Sequence, residues 1–192
     1  MKVQIKFQKI ICMATVIMGA IAFAISLGLL TNIYHVQEWA GVIGFGNSKD
    51  NLFLDMQDFN DKLVLNYIAF IVLAAFMFIT NCHKRRNYYI SNYINIIVLA
   101  VFALITSVTN ILEILKYRQE FLSIDFEALR ETIEMIGIDV PYTESTLWLD
   151  MNIVASIAVS LVSIVLLANL IWKTRLMKGE KYLLSANNIN NK

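Results

Sequence analysis

Four long apolar segments, at about residues 10–34, 63–82, 93–115 and 147–172, leave this chain few folds to choose from. Each offers about 20 residues of low charge, the length a helix needs to cross a hydrocarbon core ~30 Å thick. Water-soluble proteins also carry apolar runs, but theirs are shorter and interrupted periodically by polar residues. Across the whole chain of 192 residues, 58% are hydrophobic, so one membrane domain uses most of it.

The charges are sorted by side. Lys2, Lys6, Lys9, Lys84, Arg85, Arg86, Lys173, Arg175, Lys178, Lys181 and Lys192 lie at the chain ends and between the second and third segments, with Glu180 the one acid among them. The long loops and adjoining segment ends hold only Lys49, Lys62, Lys116, Arg118 and Arg130, beside fourteen acids. Lys and Arg next to spans stay cytoplasmic. Both termini, the short loop 83–92 and the tail 173–192 are therefore expected inside, and loops 35–62 and 116–146 outside. Tyr34, Trp39, Tyr67, Tyr117, Tyr142 and Trp148 fall at the outer boundary and Tyr88, Tyr89, Tyr93 and Trp172 at the inner one, where amphipathic rings prefer to sit. The expected fold is an all-α integral membrane protein, a four-helix transmembrane bundle of two hairpins with N-in/C-in topology and a small helical extracytoplasmic cap.

A basic start followed by Ala22-Phe23-Ala24 fits a cleavable signal, yet residues 25–30 remain apolar beyond the candidate site, so a retained first helix is expected. Cys12 and Cys82 lie near the cytoplasmic face and the outer loops contain no cysteine, which excludes loops stapled by disulfides. The chain has no Asn-x-Ser/Thr acceptor. One proline and an abundance of Ile, Asn and Lys give it a bacterial composition, and the plasma membrane of a bacterial cell is the expected location.

The first outer loop opens on Gly41-Val42-Ile43-Gly44-Phe45-Gly46, which reads as a flexible stretch because neither the strand nor the Lys-Ser/Thr helix of a phosphate loop accompanies it. Leu52, Met56, Phe59 and Leu63 then recur at helical spacing, with Asp50 or Asn51 placed to cap. The second helix is expected to start near Asn51 and run unbroken into its span. In the other outer loop Phe126, Leu129, Ile133 and Ile136 share a helix face, stopped by Gly137 and Pro141. The acidity of the opposite face favours packing on the extended second helix over an anionic lipid surface. Residues 52–57 echo residues 147–152, but the preceding spans do not match in offset, and chance similarity accounts for it.

Membrane helices associate through small residues and interhelical hydrogen bonds. The first segment carries a packing seam at heptad spacing, Gln8, Cys12, Thr15, Gly19, Ala22 and Ser26, and a second small-residue line, Ala20, Ala24 and Gly28. The fourth offers Asn152, Ser156, Ser160 and Ser163, and the third Asn95, Thr106, Thr109, Asn110 and Glu113. These read first as interhelical glue worth ~0.6 kcal/mol per bond. The sharper reading is a polar intramembrane site open to the outside, built from Asn66, Thr106, Asn110, Glu113 and Asn152.

The middle thirds of the segments contain no Asp, Glu, Lys, Arg or His, and Gly19 and Gly28 are their only glycines. Coupled transporters place charge at that depth and break helices there. No CxxC pair, intramembrane nucleophile with a base or paired carboxylates occurs. Asp55, Asp58 and Asp61 are spaced by three, unlike a calcium loop, and read as a solvated face; His35 and His83 lie on opposite sides. No catalytic, cofactor or metal site is expected, and no enzyme. The inner cations imply contact with anionic lipids, and nucleic acid is not an expected partner. The chain is expected to act as an accessory or regulatory subunit, meeting other membrane subunits or copies of itself through Asp55, Asp58, Glu127, Glu131 and Glu134. The alternative is an oligomeric small channel or facilitator.

Overall fold

The computed structural model describes residues 2–43, 50–82, 90–137 and 143–190. Within them the chain forms α1 (Lys2–Ile43), α2 (Asp50–Cys82), α3 (Ile90–Leu122), α4 (Phe126–Ile136) and α5 (Leu147–Asn190), with no strand. Four of these helices contain stretches long and apolar enough to cross a membrane: Lys6–Leu30, Leu52–Asn81, Tyr93–Leu122 and Leu147–Gly179. Such a set fits a multi-pass membrane protein.

The helices outrun the apolar segments. α1 continues through residues 35–43, where the sequence reads as loop, and α5 continues through residues 173–190. The reason is local. Residues 31–40 contain neither Gly nor Pro, and a change from apolar to polar composition does not by itself break a helix. Gly41 lies inside α1, whereas Gly44 and Gly46 fall outside the described residues. So do residues 83–89 of the short loop and Pro141. α2 starts at Asp50 and runs unbroken to Cys82, carrying the extension and the span in one helix.

In cross-section the long helices form a square. α1 lies beside α2 and α5, and α3 beside α5 and α2, so α1/α3 and α2/α5 are the diagonals. The inward face repeats every seven residues. On α2 it reads Phe53, Asn60, Tyr67, Ala74 and Asn81, alongside Met56, Leu63, Phe70 and Met77. On α5 it reads Asn152, Val159, Leu166 and Lys173, alongside Leu149, Ser156, Ser163 and Leu170. A strict seven-residue repeat keeps each seam facing its neighbours with a slight left-handed supercoil. Small residues let the backbones close in: Gly19 packs on Phe70 and Ile71, and Gly28 on the indole of Trp148.

Polarity is distributed inside out. Thirteen polar or charged residues are buried in the described chain, among them Gln4, Gln8, Asn60, Asn81 and Lys173, while Ile10, Val72, Ile79, Ile105 and Leu161 stand exposed on the outer surface. A bundle in water would aggregate through such a surface, whereas lipid tails match it and leave hydrogen bonding to the interior.

α4 is set by its ends. The Asp125 carboxylate accepts from the main-chain N–H of Glu127 and Ala128 at 3.2 and 3.1 Å. Gly137, at φ 71°, closes the helix by donating its N–H to the Ile133 carbonyl at 3.0 Å. The Phe126 ring meets Phe121 at 5.3 Å between centroids. Among the described residues the main chain of α4 approaches α1 and not α2. Arg118 on α3 donates to Asp150 on α5 at 2.7 Å, and Arg130 on α4 to Glu144 at 2.6 Å.

Candidate functional site

The bundle interior holds two polar clusters, an outer one toward the end that carries α4 and an inner one toward the end where α1 starts and α5 finishes. The outer one is centred on the Tyr67 hydroxyl, 3.0 Å from the Ser156 hydroxyl. Tyr67 and Ser156 sit on the diagonal pair α2 and α5, so this bond crosses the bundle axis. The Asn110 side chain on α3 lies beside the same hydroxyl. Four residues outward on α5, about 6 Å along the helix, Asn152 donates to the Trp148 carbonyl at 2.8 Å. Its side-chain oxygen is buried with no hydrogen-bond partner among the described residues. Asn60, seven residues outward of Tyr67, is fully buried and both of its amide atoms lack partners, as does the Ser107 hydroxyl. A buried unpaired polar group costs ~1–3 kcal/mol, so the unmet donors and acceptors of Asn60, Ser107 and Asn152 are a cost that packing elsewhere in the bundle offsets.

The inner cluster draws on all four long helices. Gln4 donates to Gln8 at 3.0 Å and more distantly to Asn169 at 3.4 Å. Gln8 donates to Asn81 at 2.9 Å, and Asn81 donates to the Met77 carbonyl at 3.0 Å. These bonds join α1 to α2 and α5. Beside them Lys173 is only 4% exposed, with its ammonium nitrogen 5.0 Å from the centre of the Tyr93 ring on α3. That nitrogen has no hydrogen-bond partner among the described residues. Cys12 on α1 is the ionisable neighbour that acts on it electrostatically. Tyr93 in turn donates its hydroxyl to the Met177 sulfur and walls a cleft of about 270 Å³ with Thr174, Met177 and Lys178.

Of the residues that the sequence grouped as one polar site, the fold brings Asn110 and Asn152 into the interior and leaves the others out. Glu113 is exposed, and Thr106 is half-buried with its hydroxyl bonded to the Phe102 and Ala103 carbonyls of its own helix. Asn110 and Glu113 are separated by three residues, about 60° of arc, which is enough to carry Glu113 past the edge of the buried face. Asn66 is half-buried, one position off the stripe that holds Asn60 and Tyr67. The seam residues Thr15, Gly19, Ala22 and Ser26 are all buried. The Thr15 and Ser26 hydroxyls bond back to the Ile11 and Phe23 carbonyls, so these four residues work by closeness of approach, while Gln8 of the same seam bonds across to Asn81. Asp55, Asp58, Glu127, Glu131 and Glu134 are exposed.

Lys173 is the largest departure from the sequence reading. It flanks an apolar segment, which reads as a topology marker on the inner surface, yet the fold turns it inward. The signal was a register. Lys173 follows Asn152 by three heptads, on the stripe that also holds Val159 and Leu166. Gln4 likewise precedes Gln8 by one turn and extends the first-segment seam.

No protein-family model, curated protein or solved structure matches the chain.

Proposed function

We propose that this chain is an accessory or regulatory subunit of a larger complex in a bacterial plasma membrane, with both termini and residues 83–92 cytoplasmic and residues 35–62 and 116–146 outside. The observation that carries this reading is the outer face. Asp55 and Asp58 on the extension of α2, and Glu127, Glu131 and Glu134 on α4, are exposed, and none forms an ion pair among the described residues. Acidic helical faces held on a bundle of long helices suit electrostatic recognition of a basic partner surface, which tunes association rate and specificity. The partner is another membrane subunit or a second copy of the chain. Arg175 and Lys178, exposed at the inner end, face anionic headgroups.

Two experiments test the reading. Single cysteines at Asn47, Glu131 and Lys192, in a Cys12→Ser, Cys82→Ser background, are treated on intact cells with an impermeant thiol reagent. Positions 47 and 131 label directly and 192 only after permeabilisation; labelling of 192 on intact cells overturns the orientation. Gentle extraction with crosslinking mass spectrometry then captures a reproducible partner through the acidic faces, and recovery as a monomer alone removes the subunit role.

The buried unpaired atoms of Asn60, Ser107 and Asn152 favour one second reading, an oligomeric channel or facilitator for small polar solutes. In liposomes it requires a flux that Asn110→Leu abolishes. Absence of flux from a reconstituted oligomer eliminates it.

A further inference from the structure

The inner cluster is short of acceptors. Three of its amide oxygens are already occupied: Gln8 Oε1 and Asn169 Oδ1 by Gln4, and Asn81 Oδ1 by Gln8. Lys173 adds an amine whose N–H groups meet none of them. Among the described residues no carboxylate pairs with it, and its ionisable neighbour is the thiol of Cys12. Residues 2–30, 63–82, 90–112 and 151–179 contain neither Asp nor Glu. A cation–π contact with Tyr93 offsets part of the cost of burying the charge, but an ammonium taken out of water without a paired anion stays several kcal/mol unfavourable. Even an uncharged amine would keep donors without acceptors at a place where each needs one.

We propose that this cluster is a binding site for a small inorganic anion, a halide such as chloride, held by the Lys173 ammonium beside the amides of Gln8 and Asn169, which keep N–H groups not spent within the cluster. The ligand is compact because Lys173 and the amides of Gln8 and Asn169 are all at least nine-tenths buried. The nearest cleft lined by the same Tyr93 ring lies on the α3–α5 side. Tyr93 separates the buried ammonium from the cleft that Thr174, Met177 and Lys178 complete, and Lys178, exposed at the mouth, attracts an anion to it. The site is independent of the subunit role; only the compartment that supplies the anion rests on the N-in orientation proposed above.

The purified full chain in detergent is melted in sodium chloride, sodium gluconate and sodium phosphate at matched ionic strength. Chloride at ten times its Kd raises the ratio of folded to unfolded protein about tenfold over gluconate. Lys173→Met abolishes this difference, and Lys178→Gln, at the mouth only, keeps the saturating response. Equal melting in chloride and gluconate overturns the proposal, as does a chloride response that survives Lys173→Met or a response to phosphate alone. Crystals of the unaltered protein grown in bromide supply a readout that does not depend on a variant folding. An anomalous peak within hydrogen-bonding distance of Lys173 Nζ supports the site, and its absence there refutes it.

Discussion

Gly28→Ala tests how tightly the bundle is closed at its outer end. A Cβ built on Gly28 lies 2.2 Å from Trp148 Cζ3, 2.4 Å from Cη2 and 2.5 Å from Cε3. Comfortable carbon contacts need ~3.5–4.0 Å, so the indole or the α1 backbone must move by more than 1 Å. Overpacking of this kind costs ~1–3 kcal/mol, and overlap with three ring carbons at once places it near the top of that range. Alanine returns ~1 kcal/mol through its better helix propensity. The overlap therefore wins, and the net loss is about 2 kcal/mol, or roughly 4–8 °C in Tm for a chain of this size. Gly179 supplies the opposite sign. It sits in α5 with nothing within 4 Å of a built Cβ, so Gly179→Ala keeps only the propensity gain and is neutral to stabilising by up to ~1 kcal/mol. Thermal unfolding in one detergent measures both. Gly28→Ala combined with Trp148→Ala should lose less than the two single changes added together, because the second removes the clash created by the first. A Gly28→Ala protein that melts with the unaltered chain, or a double variant with additive losses, would refute the close α1–α5 approach.

Tyr67→Phe and Ser156→Ala should each cost ~0.6 kcal/mol and at most ~1.7, with the double variant little worse than Tyr67→Phe, which already removes the bond across the axis and the Asn110 contact beside it; additive losses in the same melts would separate the two hydroxyls. Asp150→Asn weakens the contacts with Arg118 Nε at 2.7 Å and Thr146 Oγ1 at 2.8 Å. Both members of the Arg118 pair are over a third exposed, so the loss stays within ~1 kcal/mol and shrinks as salt rises, which unfolding at two ionic strengths checks. Asp125→Ala removes a helix cap worth ~1 kcal/mol, and Gly137→Ala forces a side chain onto a left-handed residue at a cost of ~1–2 kcal/mol. An eleven-residue helix has little stability of its own, so either change should speed hydrogen exchange in α4 while leaving the spans protected.

The four spanning helices, the unbroken run of α2 from Asp50 and the stop of α4 at Gly137 were legible in the chain, because length, apolar run and glycine each act over one or two turns. The lengths of α1 and α5 were less so. An apolar run reports where lipid ends, and nothing in residues 35–43 or 173–190 ends a helix at that point. The candidate polar site was half legible. Asn110 and Asn152 could be named, since polar residues in an apolar run are rare and conspicuous. Tyr67 and the buried Asn60 were missed in favour of Asn66, one residue from Tyr67.

What the sequence determined by itself is everything that depends on composition along one helix: the number of spans, their apolar exterior and the clustering of cations at one end. What only the tertiary structure decided is which polar groups face one another. That choice follows from the square arrangement of α1, α2, α3 and α5, which sets Tyr67 opposite Ser156 and turns the stripe from Asn152 to Lys173 inward. A cation beside a span has two low-energy positions, out toward headgroups or in toward polar side chains. On α5 the seven-residue register, locked by the packing of Val159 and Leu166, selects the second.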